Sequence, residues 1–302
     1  MDLRLRCFML RIYYLIASLV SKTGIFKKIR FGGMPLGHII HSLFLKVLYF
    51  KVPEPIEAHG MSLYHHNLDG RAFFGWLYYS FDSEPQTSHA FERITKPGMT
   101  VVDVGAYIGY YTLLAAKLVR DKGKVYTFES DPSSYILLKK NIEVNGLNGI
   151  VESFGLAISN REEKDTLFLD KYSGSSLFNF PGSIETVIDV SSLDKFFSQR
   201  NWPAVHIVKI DVEGADKLVL EGIQELVRRN RELKIIIELA PCWLEAVGTN
   251  GEELLELIAK LGFKKIYPLS KKELSCKIPS DDITYLVNLA REIGYINLLC
   301  ER

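Results

Sequence analysis

Two acidic residues close apolar runs of this 302-residue chain at places where they could bind one ligand. Asp103 closes the first run and is followed by Gly105 and Gly109, in the order D-x-G-x-x-x-G. Glu129 closes the next run. A carboxylate before a glycine turn suits a ligand with an ammonium group and would repel a pyrophosphate. A carboxylate at the tip of a second strand can accept hydrogen bonds from both ribose hydroxyls.

Together these two acids describe an adenosine with an amino-acid tail, which is the structure of S-adenosylmethionine. The dinucleotide fingerprint G-x-G-x-x-G is absent, and this counts against a second hypothesis, an NAD(P)-dependent oxidoreductase. A third hypothesis is a non-catalytic, membrane-attached protein with a degenerate cofactor site. Gly105 and Gly109 could also serve tight packing alone.

Four charged residues farther along the chain are candidates for catalysis at this cofactor. A hydroxyl is a poor nucleophile at neutral pH, so a general base is useful. Asp211 ends a predicted strand beside the cofactor strand, and Glu213 follows it. Glu238 ends the next strand, and Lys209 shares a strand face with Asp211. The alternative for Asp211 and Glu213 is capping of the helix that starts near Gly214.

Alternating strand-like and helix-like segments from residue 97 onward must position these residues. The pattern predicts an α/β fold with a doubly wound, mainly parallel seven-stranded sheet, preceded by an N-terminal helical and hairpin extension. Residues 160–200 do not follow this alternation of strands and helices, and we interpret them as an inserted hairpin or substrate loop. The predicted strands are 100–104, 124–129, 150–154, 206–211, 234–239, 263–267 and 295–300. The predicted helices are 109–120, 132–145, 214–229, 251–261 and 283–293.

Three stretches closely resemble the FkbM-type family of S-adenosylmethionine-dependent methyltransferases, which have the class I, Rossmann-like fold. They are residues 97–147, VKIDVEGAD at 208–216 and IIIEL at 235–239. The resemblance covers roughly residues 84–300. It implies S-adenosyl-L-methionine as cofactor and O-methylation of a hydroxyl, most often on a sugar, a glycan or a secondary metabolite.

This resemblance also extends the candidate site beyond the two acids. The implied cofactor-binding residues are Asp103, Gly105, Ala106, Tyr107, Gly109, Glu129, Ser130 and Asp131. Apart from the resemblance, Glu84 in the SEPQT stretch before the core could reach the polar end of the cofactor. Ser175 and Ser176 resemble substrate-loop residues, although composition alone makes them a flexible turn.

The chain departs from the family pattern at Tyr107, where asparagine is usual, at Ser130, where proline is usual, and at Ala240, where histidine is frequent. Tyr107 bears on the cofactor geometry, because an aromatic residue adopts a positive φ only at a cost of about 1–2 kcal/mol. Either the backbone at Tyr107 has an ordinary conformation or the turn has shifted.

Residues 1–51 differ from the rest of the chain in charge. They hold nine basic residues and one acidic residue, a net charge of +8, whereas the whole chain has a net charge of +1. The segment 3–20 predicts an amphipathic helix, and 38–50 is a second apolar segment. Both are shorter than the roughly 20 residues that span a bilayer. Residues 1–51 could therefore bind an anionic membrane surface, or could instead form helices packed on the main domain or on a partner subunit.

We expect three parts: the basic apolar extension at 1–51, a lead-in hairpin and helix region at 52–95, and a methyltransferase domain at 96–302. Four dispersed cysteines predict neither disulfides nor a zinc site, and no metal is expected, although Asp211 and Glu238 could together bind a divalent cation. The near-zero net charge gives no indication of a nucleic-acid partner. The expectation is a cytoplasmic enzyme, attached peripherally to the inner membrane face, with a small-molecule or glycan acceptor.

Overall fold

The structure, a computed structural model, divides the chain into two compact units, Met1–Val52 and Pro53–Arg302. It describes residues 30–31, 34–35, 55–66, 79, 82, 84–170, 174–176, 184–269, 278–279 and 282–302. In the first unit, β1 (Arg30–Phe31) pairs antiparallel with β2 (Met34–Pro35). The apolar segments predicted at 3–20 and 38–50 lie outside the described residues. Within the described residues, no helix combines the length and the apolar character that crossing a bilayer would require.

The second unit begins with a hairpin that leads into a helix. Strands β3 (Ile56–Ala58) and β4 (Met61–Leu63) pair antiparallel. The turn between them uses positive φ angles, 56° at His59 and 78° at Gly60. Helix α1 (Pro85–Ile94) follows and starts with proline, whose fixed φ suits the first helical turn.

The main sheet of the second unit confirms the predicted architecture. Its strands are β5 (Thr100–Val104), β6 (Lys124–Phe128), β7 (Val151–Phe154), β12 (Ile207–Ile210), β13 (Lys234–Leu239), β14 (Lys265–Leu269), β15 (Ile278–Pro279) and β16 (Ile296–Glu301). Seven of them lie in the order β7-β6-β5-β12-β13-β16-β14, and the two-residue β15 adds an eighth at the edge. Neighbours among the first five run parallel, and β16 runs antiparallel to both β13 and β14.

Local sequence accounts for the two helices nearest the first strands. Helix α2 (Tyr110–Val119) begins after Gly109, whose left-handed φ of 97° turns the chain out of β5. Helix α3 (Pro132–Val144) is capped by the Asp131 carboxylate, which accepts a hydrogen bond from the backbone N–H of Ser133. It ends at Asn145, followed by a left-handed Gly146, as the sequence predicts.

An excursion lies between β7 and β12, where residues 160–200 interrupt the strand-helix rhythm. The excursion contains β8 (Ala157–Ile158), β9 (Glu163–Asp170), β10 (Gly174–Ser176), β11 (Ile184–Ser191) and helix α4 (Leu193–Ser198). The four strands form a second sheet in the order β10-β9-β11-β8. Its pairs are antiparallel, except that β8 runs parallel to β11.

The single helix predicted at 214–229 is wrong, because two short helices occupy it, α5 (Asp216–Glu221) and α6 (Gln224–Arg229). At Gly222 the backbone passes so close to Ser159 that a Cβ atom would lie 2.1 Å from the Ser159 carbonyl oxygen. Asp194 then supplies the hydrogen bonds for a new helix start, since its carboxylate accepts the backbone N–H groups of Glu225 and Leu226.

The remaining helices cover the sheet on the side of its later strands. They are α7 (Pro241–Ala246), α8 (Gly251–Lys260) and α9 (Ile283–Ile293). Helix α7 has no counterpart in the sequence prediction, and β14 lies two residues later than the predicted 263–267. The apolar core includes both faces of the central strands: all four residues of β12 are buried.

Candidate active site

The strand register brings the candidate residues to one face of the main sheet. Lys209 of β12 is in register with Asp103 of β5. On the other side, Ile210 pairs with Ile237, so Asp211 comes beside Glu238. Glu238 in turn pairs with Asn297 of β16. Because residues two apart share a strand face, Asp103, Lys209, Asp211, Glu238 and Asn297 all project from the same face.

Asp103 is buried, and one of its oxygens has no hydrogen-bond partner among the described residues. Its Oδ2 accepts a 2.6 Å hydrogen bond from the Thr112 hydroxyl of α2. Its Oδ1 is buried without a hydrogen bond in the described part of the chain. Burial raises the pKa of Asp103, and the Lys209 charge and the Thr112 hydrogen bond oppose that rise. An unsatisfied buried acceptor costs about 1–3 kcal/mol, so this carboxylate fits a ligand that brings a charged donor such as an ammonium group.

Glu129 is also buried, and two backbone N–H groups hold it. Tyr107 N–H donates to Oε2 and Asp131 N–H donates to Oε1, both over 2.7 Å. Burial, followed by the charge of Asp131, raises the pKa of Glu129 to about 7 against these hydrogen bonds. Each carboxylate oxygen can accept two hydrogen bonds, so both oxygens retain capacity for the ribose hydroxyls predicted from the sequence.

The structure shows the backbone conformation of Tyr107, which the sequence leaves open. Its φ is 52°, so the turn keeps the left-handed conformation that asparagine or glycine adopts readily. The backbone N–H of Tyr107 still reaches Glu129. The bulky side chain therefore does not force an ordinary conformation on this turn.

Both turn glycines have packing reasons of their own. A Cβ atom on Gly105 would lie 1.8 Å from the carbonyl oxygen of Asp211. A Cβ atom on Gly109 would lie 2.7 Å from Leu138 Cδ1 on α3. Contacts within the protein therefore explain these glycines, and the carboxylates carry the argument for a cofactor.

Three further predicted cofactor residues surround this turn. Ala106 is buried, and its N–H donates to the Phe128 carbonyl oxygen over 3.0 Å. Ser130 is partly exposed and follows Glu129. The Asp131 carboxylate accepts hydrogen bonds from Ser133 and Ser134 at the start of α3, so it holds the helix in place. A direct cofactor contact of Ala106, Ser130 or Asp131 stays a prediction.

Lys209 and Asp211 form an ion pair that is buried at the lysine end. Lys209 Nζ lies 2.8 Å from Asp211 Oδ2, and the side chains are 3% and 30% exposed respectively. The ammonium group also lies 4.8 Å from the centre of the Tyr111 ring. Burial by itself lowers the pKa of Lys209, but the charges of Asp211 and Asp103 raise it above its ordinary value. The lysine therefore stays charged and holds one oxygen of the Asp211 carboxylate.

The structure does not show Asp211 as the cap of the helix that follows it, which is the alternative role that the sequence allows. The N-cap residue of α5 is Ala215, without a side-chain hydrogen bond. Asp216 instead accepts the backbone N–H of Gly214 over 3.2 Å, and burial, then the Asp211 charge, raises its pKa to about 7. Glu213 lies in the same turn with a left-handed φ of 48°. Its catalytic role stays a prediction.

Glu238 and Glu84 complete an acidic cluster around Asp211. Desolvation, followed by the charges of Asp211 and Asp216, raises the pKa of Glu238 well above its ordinary value. Glu84 precedes α1, and its Oε2 accepts 3.0 Å hydrogen bonds from the Tyr111 hydroxyl and from Asn297 Nδ2.

Sequence reasoning missed Tyr111, Thr112, Asn297 and Asp216 as members of this site. Tyr111 and Thr112 lie in the apolar run of α2, which predicts core residues. Thr112 is fully buried. Asn297 had a usable signal, because it is a polar residue inside the apolar strand β16.

Ser175 and Ser176 are not brought to this cluster by strand register. They belong to β10 of the second sheet, where they pair with Leu169 and Phe168. Their contact with a substrate stays a prediction. In the described residues, no group of three or more His, Cys, Asp or Glu side chains is arranged to hold a metal ion.

The main sheet has the strand order of the class I, Rossmann-like methyltransferase fold: it is mainly parallel, and one reversed strand, β16, lies between β13 and β14. Its cofactor acids stand at the tips of β5 and β6. The chain belongs to the FkbM family of that class, since residues 103–265, more than half of it, match the methyltransferase FkbM domain. The resemblance drawn from the sequence is thereby confirmed, and the cofactor of the family is S-adenosylmethionine. The NAD(P)-dependent oxidoreductase is disfavoured by this result.

Curated relatives match only parts of the chain. A protein-L-isoaspartate O-methyltransferase of Aeropyrum pernix is 42% identical over 57 residues, 19% of this chain and 22% of that protein. The catalytic subunit of a tRNA (adenine(58)-N(1))-methyltransferase of Candida albicans is 24% identical over 173 residues, 50% of this chain and 52% of that protein. The matched regions thus span about a fifth to a half of these relatives, and their names give unlike acceptors.

Among solved structures, an O-methyltransferase from Bacillus cereus in complex with S-adenosylhomocysteine (SAH) has a TM-score of 0.43 to this chain. It is 14% identical, and the match covers 72% of this chain and 81% of that one.

Proposed function

We propose that this chain transfers a methyl group from S-adenosylmethionine to a hydroxyl oxygen, on a sugar, a glycan or a secondary metabolite. The observation that carries the proposal is the position of the Asp211 carboxylate. The backbone of Asp211 touches the cofactor turn at Gly105, and its side chain is 30% exposed. A carboxylate next to the cofactor turn, and accessible from solvent, is suited to act as general base toward a hydroxyl.

The residues of the turn account for cofactor binding. Asp103 Oδ1 would accept a hydrogen bond from the ammonium group of the amino-acid tail, and the Glu129 carboxylate would accept hydrogen bonds from the ribose hydroxyls. When bound, the cofactor supplies an electrophilic methyl group on its sulfonium.

The ion pair accounts for proton removal. Lys209 Nζ holds Asp211 Oδ2 over 2.8 Å, which leaves Oδ1 as the carboxylate oxygen that the lysine does not engage. Asp211 Oδ1 therefore takes the proton that the acceptor hydroxyl gives up. The fixed lysine charge keeps the carboxylate oriented, so that no rotamer search precedes proton transfer. Glu238 lies beside Asp211 in the strand register, and burial raises its pKa in favour of the neutral acid, which is suited to donate a hydrogen bond to the acceptor.

Residues 1–51 suggest where the acceptor is found. Their net charge of +8 and apolar composition support binding to an anionic membrane surface. We propose that this extension brings the enzyme to the cytoplasmic face of the membrane, near lipid-linked sugars.

The test is an acceptor screen with the full chain. Sugars, glycolipids and hydroxylated metabolites are incubated with S-adenosylmethionine, and products are detected by a 14 Da mass shift, the mass of one added CH₂, together with SAH release. A methylated hydroxyl product supports the proposal. Methylation of nitrogen or of a carboxylate, or SAH binding without turnover on any acceptor, contradicts it; the last result would favour the non-catalytic protein.

A further inference from the structure

The hairpin at residues 56–66 is fastened to α3 by two asparagine side chains. Asn141 accepts the backbone N–H of Tyr64 over 2.7 Å and donates to the Tyr64 carbonyl over 2.8 Å. Asn145 makes the same pair of hydrogen bonds with Ser62, over 3.0 and 2.7 Å. Each amide thus takes the place of a neighbouring strand for one residue of the hairpin. This attachment fixes the position of the residues that follow β4.

The hairpin ends with His66, which reaches the surroundings of the cofactor turn. His66 Nε2 lies 3.1 Å from the Ser134 hydroxyl, and that hydroxyl donates to the Asp131 carboxylate over 3.0 Å. The centre of the His66 ring lies 5.4 Å from the centre of the Tyr107 ring. A second ring, that of Tyr79, lies 6.3 Å from Tyr107 in a stacked arrangement.

Tyr107 therefore has ring partners from two segments that precede the family domain. Its left-handed φ of 52° is unfavourable for a bulky L-residue. Aromatic pairs at ring distances of 4.5–7 Å contribute favourable packing beyond the area that they bury. Packing by His66 and Tyr79 can thus offset the conformational cost.

The conformation of Tyr107 matters because of its backbone N–H. In this conformation the N–H donates to Glu129 Oε2 over 2.7 Å. A rotation of the turn to an ordinary φ would redirect the N–H and leave that buried carboxylate oxygen without its donor. The hairpin, the tyrosine and the ribose-binding carboxylate are thereby connected by direct contacts.

We propose that His66 and Tyr79 are positioning residues of the cofactor site, whose rings hold Tyr107 in the left-handed conformation that aims its N–H at Glu129. Both lie before residues 103–265, which match the FkbM domain. The proposal goes beyond methyl transfer, since it concerns only how the ribose end of the cofactor is held. It explains how a bulky L-residue is accommodated at this left-handed position: the hairpin supplies packing that offsets the conformational cost.

The charged groups that face Glu129 predict how loss of the Tyr107 hydrogen bond would change the pH dependence of cofactor binding. Asp131 and Asp103 disfavour its ionised form, and the N–H groups of Tyr107 and Asp131 favour it. Loss of the Tyr107 hydrogen bond would leave Glu129 protonated up to a higher pH. The midpoint of the rise of cofactor affinity with pH would therefore move upward.

The test measures binding of SAH to the full chain by calorimetry between pH 5.5 and 9. His66→Ala removes the ring and is expected to weaken binding about fivefold at neutral pH, in line with loss of one aromatic pair, and to move the pH midpoint upward. His66→Phe keeps the ring and is expected to restore affinity and midpoint. In Tyr107→Asn, where the left-handed conformation is intrinsically accessible, adding His66→Ala is expected to change affinity less than about twofold.

Tyr64→Leu is the matched control, because Tyr64 belongs to the same hairpin but packs its ring on Lys140, 3.4 Å from Nζ. It is expected to leave SAH affinity unchanged. If His66→Ala does not fold, Tyr79→Leu takes its place with the same expected loss. The proposal is overturned if the ring deletion leaves affinity and pH midpoint unchanged, if the loss is equally large in the Tyr107→Asn background, or if Tyr64→Leu loses as much.

Discussion

The carbonyl oxygen of Asp211 occupies the space where a side chain on residue 105 would begin, 1.8 Å from the Cβ position of Gly105. The two residues directly follow the adjacent parallel strands β5 and β12. This contact sets the distance between the turn that binds the cofactor and the carboxylate that we propose as base. It also makes the glycine irreplaceable for a reason unrelated to the ligand.

Gly105→Ala should therefore destabilise the protein strongly. The added Cβ meets backbone atoms and also forces an L-residue to a φ of 78°, so we expect a loss of about 3 kcal/mol or more in the free energy of unfolding. Gly146→Ala is the control: φ is 69° there, but nothing lies within 4 Å of the added atom. It should cost only about 1 kcal/mol. Urea denaturation measures both; equal losses would contradict the close contact.

Asp211→Asn should lower kcat while leaving the affinity for the cofactor product SAH nearly unchanged. The amide cannot accept the hydroxyl proton, so kcat should fall by about 10² to 10⁴. SAH affinity should stay within about twofold, since the backbone contact with Gly105 is unchanged. Asp189→Asn, an exposed change on β11, should leave both quantities at the wild-type level. A kcat that survives Asp211→Asn would remove this residue from the base role.

Asp103→Asn should weaken cofactor binding. Loss of the negative charge removes a charge-assisted hydrogen bond worth about 1.5–3 kcal/mol, an affinity loss of about tenfold or more. The amide can still accept a hydrogen bond from Thr112, so the fold should be retained, as checked by the unfolding midpoint. Calorimetry with SAH measures the loss; unchanged affinity would show that the ligand does not reach Asp103.

Cofactor affinity should increase with pH through about 7. Glu129 has its pKa raised to about 7, and the ribose hydroxyls require its ionised form as acceptor. SAH titrations at several pH values should show this rise, and Glu129→Gln should abolish it. A flat profile in the wild-type protein would argue against Glu129 as the ribose acceptor.

The ligand-free protein should show the opposite trend in stability. Between about pH 4.5 and 7 the folded state binds more protons at Glu129 than the unfolded state does, so the free energy of unfolding falls as pH rises, by about 3 kcal/mol for this group. Asp216, also raised to about 7, acts in the same direction. Asp103 and Glu238, whose pKa values burial also raises, contribute in the same direction. Glu129→Gln should therefore reduce the slope without removing it.

Deletion of residues 1–30 should release the protein from anionic liposomes. The deleted segment carries seven of the nine basic residues of 1–51, each contributing about 1 kcal/mol near a charged surface. Sedimentation with phosphatidylserine vesicles, with neutral vesicles as control, measures this. Equal sedimentation of the shortened and full chains would rule out the anchor.

The order of strands and helices could be predicted from the sequence because it depends on local patterns. Apolar runs of strand length alternate with helical periodicity, and caps such as Asp131 and Gly146 act within a few residues. The cofactor acids could be predicted for the same reason, since Asp103 and Glu129 stand at the ends of such runs. The interruption at Gly222 could not, because its cause, the Ser159 carbonyl, lies 63 residues away in the chain.

The sequence by itself determined the class of fold, the cofactor and the identity of the charged residues at the strand ends, since these follow from residue types and short spacings. Only the tertiary structure decided which distant groups meet. Glu84 and Asn297 are 213 residues apart, yet they share a hydrogen bond beside Lys209 and Asp211. Tyr107 keeps its left-handed turn among rings from earlier segments. Such contacts depend on how whole elements pack, and no local pattern encodes that packing.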